Sequence, residues 1–429
     1  MSKNTCIVSC PIDTYSGYGA RARDFVKSLI QLKDSEWDIK ILSQRWGNTR
    51  FGYLEDHNEH DLKSRVIPNL NSKPDIWIQV TVPNEFQPVG KFNIGVTAGI
   101  ETTMCHSSWI EGCNRMNLIL TSSEHSKKVF ETTAFRVENK QTGQVQKQIK
   151  LEKPVEVLFE GADLSKYKII SQKDNTLDLS YIKESFCFLF VGHWLQGDYG
   201  QDRKNVGLMI RVFLETFKNK PKGKRPALIL KTQTANSSIL DREAILKKIE
   251  SIRKLVKGTL PNIYLIHGEM DDAEINMLYN HPKVKSMISL TRGEGFGRPL
   301  LEFSLIKKPI IASAWSGHTD FLDRELCLMV GGKLEKLHPS AVMKDMLLEE
   351  SKWFTANEND AHQGLKVVHK NYKDLLVRAK KQGSQNIKNF SFDSMTKLLG
   401  KLIDTHIPEL PKQVQLNIPN LKLPKLEKL

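Results

Sequence analysis

The chain predicts an α/β protein built from two doubly wound Rossmann-like domains facing a cleft. Three observations carry that prediction. Short apolar strands alternate with segments of helical periodicity along most of the chain, the pattern of parallel sheets with both faces covered. The alternation runs in two series of similar size, separated by a polar, weakly periodic stretch at 163–185. With 429 residues, 40% hydrophobic and 26% charged, the chain can bury two or three cores without disulfide staples.

The first series opens with a strand at Thr5–Ser9 and a glycine turn, Tyr15-Ser16-Gly17-Tyr18-Gly19. A helix follows through Arg21, Phe25, Leu29 and Ile30, apolar at helical spacing. Strands are expected at 37–43, 76–80, 93–96 and 118–121, and a helix at 124–132. Residues 138–153 are polar around Gly143 and read as an inserted hairpin or mobile loop before a short strand at 155–159. The second series has strands at 186–191, 227–231, 262–267, 284–290, 309–312 and 326–330. Helices are expected at 204–218, 241–257, 272–279, 299–306, 339–349 and 360–382. The division is 1–165, 166–385, and 386–429 as a return helix (391–405) onto the first domain plus a Pro/Lys/Leu-rich tail. Pro408, Pro411, Pro419 and Pro424 forbid a long helix in that tail, and Val414, Leu416 and Ile418 alternate like a strand. It reads as an arm on its own domain or on a second subunit of a homo-oligomer, with a membrane-surface or nucleic-acid arm as the alternative.

The 63 basic and 49 acidic residues leave a net charge of +14, which favours an anionic partner without choosing one. The six cysteines show no C-x-x-C spacing, and Cys6 and Cys10 share one face of a strand, so they read as packing in a reducing compartment. No apolar run approaches the ~18 residues of a spanning helix, and no secretory h-region is present. A cytoplasmic protein, with contact to the inner membrane face as an option, is expected.

Chemistry concentrates in Thr291-Arg-Gly-Glu-Gly-Phe-Gly-Arg-Pro-Leu-Leu-Glu302, between an expected strand and an expected helix. Pro299 suits a first helical turn, and Gly293, Gly295 and Gly297 let the backbone come close to a ligand. Free N–H groups at a helix start suit a diphosphate. With Phe190-Val-Gly-His-Trp194 and Arg203-Lys-Asn205 upstream, and Pro309 to Asp320 downstream, the segment resembles the retaining GT-B glycosyltransferases of the GT4 type, whose signature is E-x7-E. Gly95 to Thr103 resembles an acceptor-domain loop of some members, so the likeness spans most of the chain and is strongest over 186–322.

The resemblance implies transfer of a hexosyl unit from a nucleotide sugar, such as a GDP- or UDP-hexose, to an acceptor hydroxyl with retention and without a further cofactor. It implies that Lys204 holds the diphosphate, Glu302 the ribose and Glu294 the transferred sugar, with backbone groups of Gly295, Phe296 and Gly297 nearby. His193 stands where many members carry Arg, and Arg203 could supply that charge. His267, in Tyr264-Leu-Ile-His-Gly268, looks like the base-binding edge. The loop near Arg298 is expected to face the diphosphate as well.

Other residues are candidates on position alone. Glu101 and His106 follow a strand end, where open α/β sheets place ligands, and either could act on the acceptor hydroxyl. Gly19 belongs to G-x-G-x-x-A, a dinucleotide pattern. The next strand lacks the terminal acid that holds a ribose, so a close turn on the acceptor side fits better. Arg21 or Arg23 could face an anion there or solvent. Trp109 and Trp194 could stack on a sugar, with core packing the plainer reading. No D-x-D occurs and Asp271-Asp272 precedes a helix as a cap would, so no metal is expected. The rival readings are a nucleic-acid-binding or DNA-modifying enzyme using the basic surface, and an inactive GT-B partner subunit. The acceptor stays open: glycan, lipid-linked sugar, protein or nucleic acid.

Overall fold

Strands β1 (Asn4–Cys10), β2 (Trp37–Ser43), β3 (Val66–Ile67), β4 (Ile76–Val80), β5 (Phe92–Val96) and β6 (Leu118–Thr121) form the first sheet with β9 (Val155–Val157). The insertion between them is a hairpin, β7 (Ala134–Glu138) against β8 (Val145–Lys150), antiparallel. The computed structural model describes residues 3–139, 142, 145–197, 199–234 and 237–409. The sheet order is β3-β2-β1-β4-β5-β6-β9, and every pairing is parallel. Side chains alternate across such a strand. Cys6, Val8 and Cys10 therefore join one core while Ile7 joins another on the opposite face. All six cysteines are buried and unpaired.

The second sheet holds β10 (Cys187–Val191), β11 (Ala227–Lys231), β12 (Ile263–Ile266), β13 (Val284–Ser289), β14 (Ile310–Ser313) and β15 (Leu328–Val330), all parallel, in the order β12-β11-β10-β13-β14-β15. β10 is apolar throughout because both of its faces are covered: Phe188 and Phe190 enter one core, Cys187 and Leu189 the other. Strand order reverses between β1 and β4, and again between β10 and β13. Crevices open beyond the carboxyl ends of strands at such points.

Residues 158–186 cross between the sheets without a regular element, and a second crossing runs beside them. Ala162 N–H donates to Phe390 O at 2.9 Å, and Phe392 N–H to Ala162 O at 2.8 Å. The helix Phe392–His406 then packs on the helix Gly17–Lys33: Met395, Leu399 and Ile403 share a core with Phe25, Val26 and Leu29. Two expected helices differ. Residues 339–349 hold only a one-turn 3-10 element at Pro339–Ala341, inside the hairpin of β16 (Gly332–Lys336) and β17 (Lys352–Ala356). Leu337, Ala341 and Leu347, spaced like a helix face, instead gather around Trp353 as a small loop core. The segment 360–382 is two helices, Glu358–Lys370 and Tyr372–Asn389, broken at Asn371. The alternation at 414–418 and the rest of the arm lie outside the described residues. Among the described residues no helix is long and apolar enough to cross a membrane.

Candidate active site

The glycine loop runs from the end of β13 into the helix Arg298–Leu305, with Pro299 in its first turn and Gly297 entering it at φ +102°. Ser316 Oγ accepts from Glu294 N–H at 2.9 Å, and Glu294 O accepts from Gly317 N–H at 3.0 Å, fixing the loop from β14's side. Its glycines have a use the sequence did not suggest. A Cβ on Gly293 would stand 1.9 Å from Glu101 O, and one on Gly295 2.2 Å from Ala98 O. The close approach they permit is to the other domain. Ser122 Oγ donates to Gly295 O at 3.0 Å, and Glu124 N–H to Asp320 Oδ2 at 2.9 Å, across the same seam.

Beneath this loop the cations converge. Arg203 and Lys204 lie between β10 and the helix Val206–Phe217, which Asn205 enters in the left-handed conformation, φ 53°. Lys204 Nζ meets Glu294 Oε1 at 2.6 Å. Arg203 Nη1 lies 3.4 Å from Glu294 Oε2, 3.4 Å from Glu101 Oε1 of the other domain, and donates to Gly293 O at 3.0 Å. Burial pushes the Glu294 carboxyl up, but Lys204 and Arg203 outweigh it and hold it at about 2. Burial lowers Lys204, with Glu294 opposing. Four candidates from three distant segments, Glu101, Arg203, Lys204 and Glu294, thus form one network.

Glu302 is elsewhere. It is buried, 3.5 Å from Arg298 Nε and 3.5 Å from the Tyr279 hydroxyl. Burial pushes its carboxyl up to about 7, with Arg298 opposing and Asp272 adding to the rise. Arg298 does not face open space for a diphosphate. Its Nη1 binds Asp24 at 2.6 Å and lies 3.6 Å from Glu160, locking the two domains together. Arg21 and Arg23 are neither solvated nor free for an anion. Arg21 donates to Leu158 O at 2.9 Å beside Glu160, and Arg23 to Ile12 O at 2.8 Å and Thr14 O at 2.9 Å. Arg23 staples the turn after β1, and Arg21 ties its helix to the segment after β9. Gly19 lies in the first turn of the helix Gly17–Lys33, where a Cβ would sit 2.3 Å from Thr14 O, so its role is steric.

A cavity of about 570 Å3 opens between the domains; none of the four network residues lines it, and Lys204 and Glu294 line a small void next to it that shares Val191 and Pro299 with its wall. On one side it is walled by the tips of β10 (Gly192, His193), β11 (Lys231 to Gln233) and the loop after β12 (Glu269 to Asp272), with Pro299 at its inner end. Thr232 Oγ1 and Gln233 Oε1 are buried without a hydrogen-bond partner. The His193 ring lies on this wall, its Nδ1 3.0 Å from Thr234 O. His267 is not among the lining residues; it pairs with Asp241 at 2.7 Å. His106 caps its own helix, accepting from Ser108 N–H at 3.2 Å, with Nε2 3.6 Å from Asp345. Phe296, Trp109 and Trp194 are core residues. The opposite wall is Tyr15, from the glycine turn, with Arg50, Tyr53, Asp56 and His57, which escaped the sequence reading because 45–60 has neither motif nor periodicity. The described residues contain no cluster of three or more His, Cys, Asp or Glu able to hold a metal.

No family model and no curated protein matches the chain. Solved structures do match over its whole architecture. The Anabaena protein HepE, solved with UDP and glucose, superposes with a TM-score of 0.61 at 12% identity, covering 94% of this chain and 99% of its own. Sucrose-phosphate synthase from Thermosynechococcus elongatus gives 0.59 at 10%, covering 94% and 98%. A glycosyltransferase from Rickettsia africae gives 0.59 at 13%, covering 94% and 100%. The fold is GT-B: two Rossmann-like domains facing a cleft.

Proposed function

We propose that the protein is a glycosyltransferase of the GT4 type, moving a hexosyl unit from a nucleotide sugar to an acceptor hydroxyl with retention. The observation that carries this is the convergence of Lys204 and Arg203 on Glu294 beside the interdomain cavity, at the point where strand order reverses. Two further facts support it: HepE, of the same fold, has been solved with UDP-glucose, and the volume suits a nucleoside diphosphate.

On this reading, Glu294 holds the cations in place until the donor arrives. The diphosphate then takes the Lys204 ammonium, and Glu294 turns to the hydroxyls of the sugar. The bond from the anomeric carbon to the phosphate oxygen breaks, and the negative charge that develops meets Lys204, Arg203 and the amino end of the helix Arg298–Leu305. The acceptor oxygen bonds the anomeric carbon on the same face, and its proton passes to the departing phosphate. In this scheme Glu101, 3.4 Å from Arg203 of the other domain, orients that acceptor. Protein cations carry the diphosphate charge in this scheme, so no metal is needed. Apposed domains exclude water and limit hydrolysis. Glu302 keeps its proposed ribose contact only if the donor draws it away from Arg298.

The test is turnover. Purified protein incubated in EDTA with UDP-, GDP- and ADP-hexoses should release the nucleoside diphosphate from at least one of them. Release from none, in a folded protein supplied with a broad acceptor mixture, would remove the proposal.

A further inference from the structure

The wall of the cavity contributed by the first domain belongs to no motif, and its construction is specific. The Arg23 guanidinium carbon lies 3.4 Å from the centroid of the Tyr53 ring, and the His57 ring stacks on Tyr53 at 4.0 Å and 21°. Two groups so close to one centroid occupy opposite faces, so Arg23, Tyr53 and His57 form a column with His57 at its outer end. The column is rigidly founded. Arg23 is anchored by two carbonyls, and Asp13 accepts from Leu54 N–H at 2.6 Å through its side chain and from Tyr53 N–H at 3.1 Å through its carbonyl. Among the described residues no ring contact covers the outer face of His57.

Its position over the other domain is fixed by an ion pair. Arg50 Nη1 reaches Glu269, in the loop after β12, at 2.8 Å. The segment Arg50–His57 therefore sits over the tips of β11 and β12. The phosphate-binding features, Gly192 and the helix start at Pro299, lie at the other end of the same cavity, where β10 and β13 diverge. A ligand with its phosphates at that end directs its nucleoside along β11 and β12. There it meets unpartnered Thr232 Oγ1 and Gln233 Oε1 on one side and an aromatic ring on the other.

We propose that His57 is the stacking platform for the nucleobase of the donor, so that the first domain, and not the donor domain alone, binds the nucleotide. This rests on the donor reading above and adds a residue to it. Gln233 and Thr232 read the polar edge of the base while His57 covers its face. Arg50–Glu269 closes the mouth, coupling nucleotide binding to domain apposition.

The experiment is calorimetric titration of the full chain with UDP, GDP, ADP and, as a base-free probe, pyrophosphate. His57 is exposed, so His57→Ala leaves the core intact. This variant should weaken the best nucleoside diphosphate about tenfold or more, the loss of one stacked base. His57→Phe should restore most of that affinity, and pyrophosphate binding should stay within about twofold. Unchanged nucleoside-diphosphate affinity in His57→Ala, or equal losses for pyrophosphate and nucleotide, would overturn the proposal while leaving the donor reading in place. A wild-type protein that binds none of the three nucleotides would overturn both.

Discussion

Glu294 and Glu302 come from one motif and one loop-to-helix turn, both are buried, and their surroundings differ in kind. Glu294 is enclosed by two cations from the loop after β10 and is held near 2. Glu302 shares one cation, Arg298, with Asp24 and Glu160 and is pushed to about 7. Counted with Glu101, the first cluster balances two cations against two carboxylates, and it lies beside the cavity. The second is rich in acid and welds the domains together. A shared motif therefore does not confer a shared role. The first end gathers two cations on Glu294, and the second shares Arg298 among three carboxylates.

The largest effect should come from emptying the first cluster. Lys204→Ala should lower kcat/KM for the donor by about 100-fold or more, because it removes fixed charge from the departing diphosphate. Circular dichroism and melting should show a folded protein. Near-normal kcat/KM in that folded variant would end the phosphate role of Lys204.

A smaller effect, on stability, separates the two glutamates. Glu294→Gln leaves Arg203 and Lys204 short of their counter-charge and should cost about 3 kcal/mol at pH 7. The folded pKa of Glu294 lies below its ordinary 4.5, so its contribution is present above about 4.5 and is lost as pH falls toward 2. The deficit of the variant should accordingly shrink in acid.

Glu302→Gln should behave oppositely and more weakly. The folded pKa of Glu302 is raised, so the native state takes up a proton that the unfolded chain does not between about 4.5 and 7. Stability falls as pH rises through that window. The variant should match wild type near pH 4.5 and exceed it by about 1–3 kcal/mol above pH 7. Chemical denaturation across pH 2–8 reads both slopes, and parallel curves for the two variants would dissolve the contrast.

The fold was legible because burial wrote it in the strands. In β10 the continuous apolar run Cys187–Val191 marks a strand covered on both faces. The loop core around Trp353 was not legible, since Leu337, Ala341 and Leu347 carry a helical spacing that tertiary packing overrides. In the site, Lys204, Arg203 and Glu294 could be named because their segments resemble those of the GT4-type glycosyltransferases. The meeting of Glu101 with Arg203 could not, because it depends on how two domains dock. Arg298 misled for the same reason: beside a glycine loop it looks like an anion ligand, and its partners, Asp24 and Glu160, lie in the other half of the chain. The Arg23–Tyr53–His57 column escaped because stacking leaves no periodic trace.

The central claim is that the Lys204 cluster receives the diphosphate of a nucleotide sugar. Its most direct test is calorimetric titration of wild type and Lys204→Ala with UDP-glucose and with the corresponding GDP and ADP sugars. The account predicts saturable one-to-one binding of at least one donor to wild type and a large loss in the variant. Equal affinity in both proteins, or no binding of any donor to wild type, would contradict it.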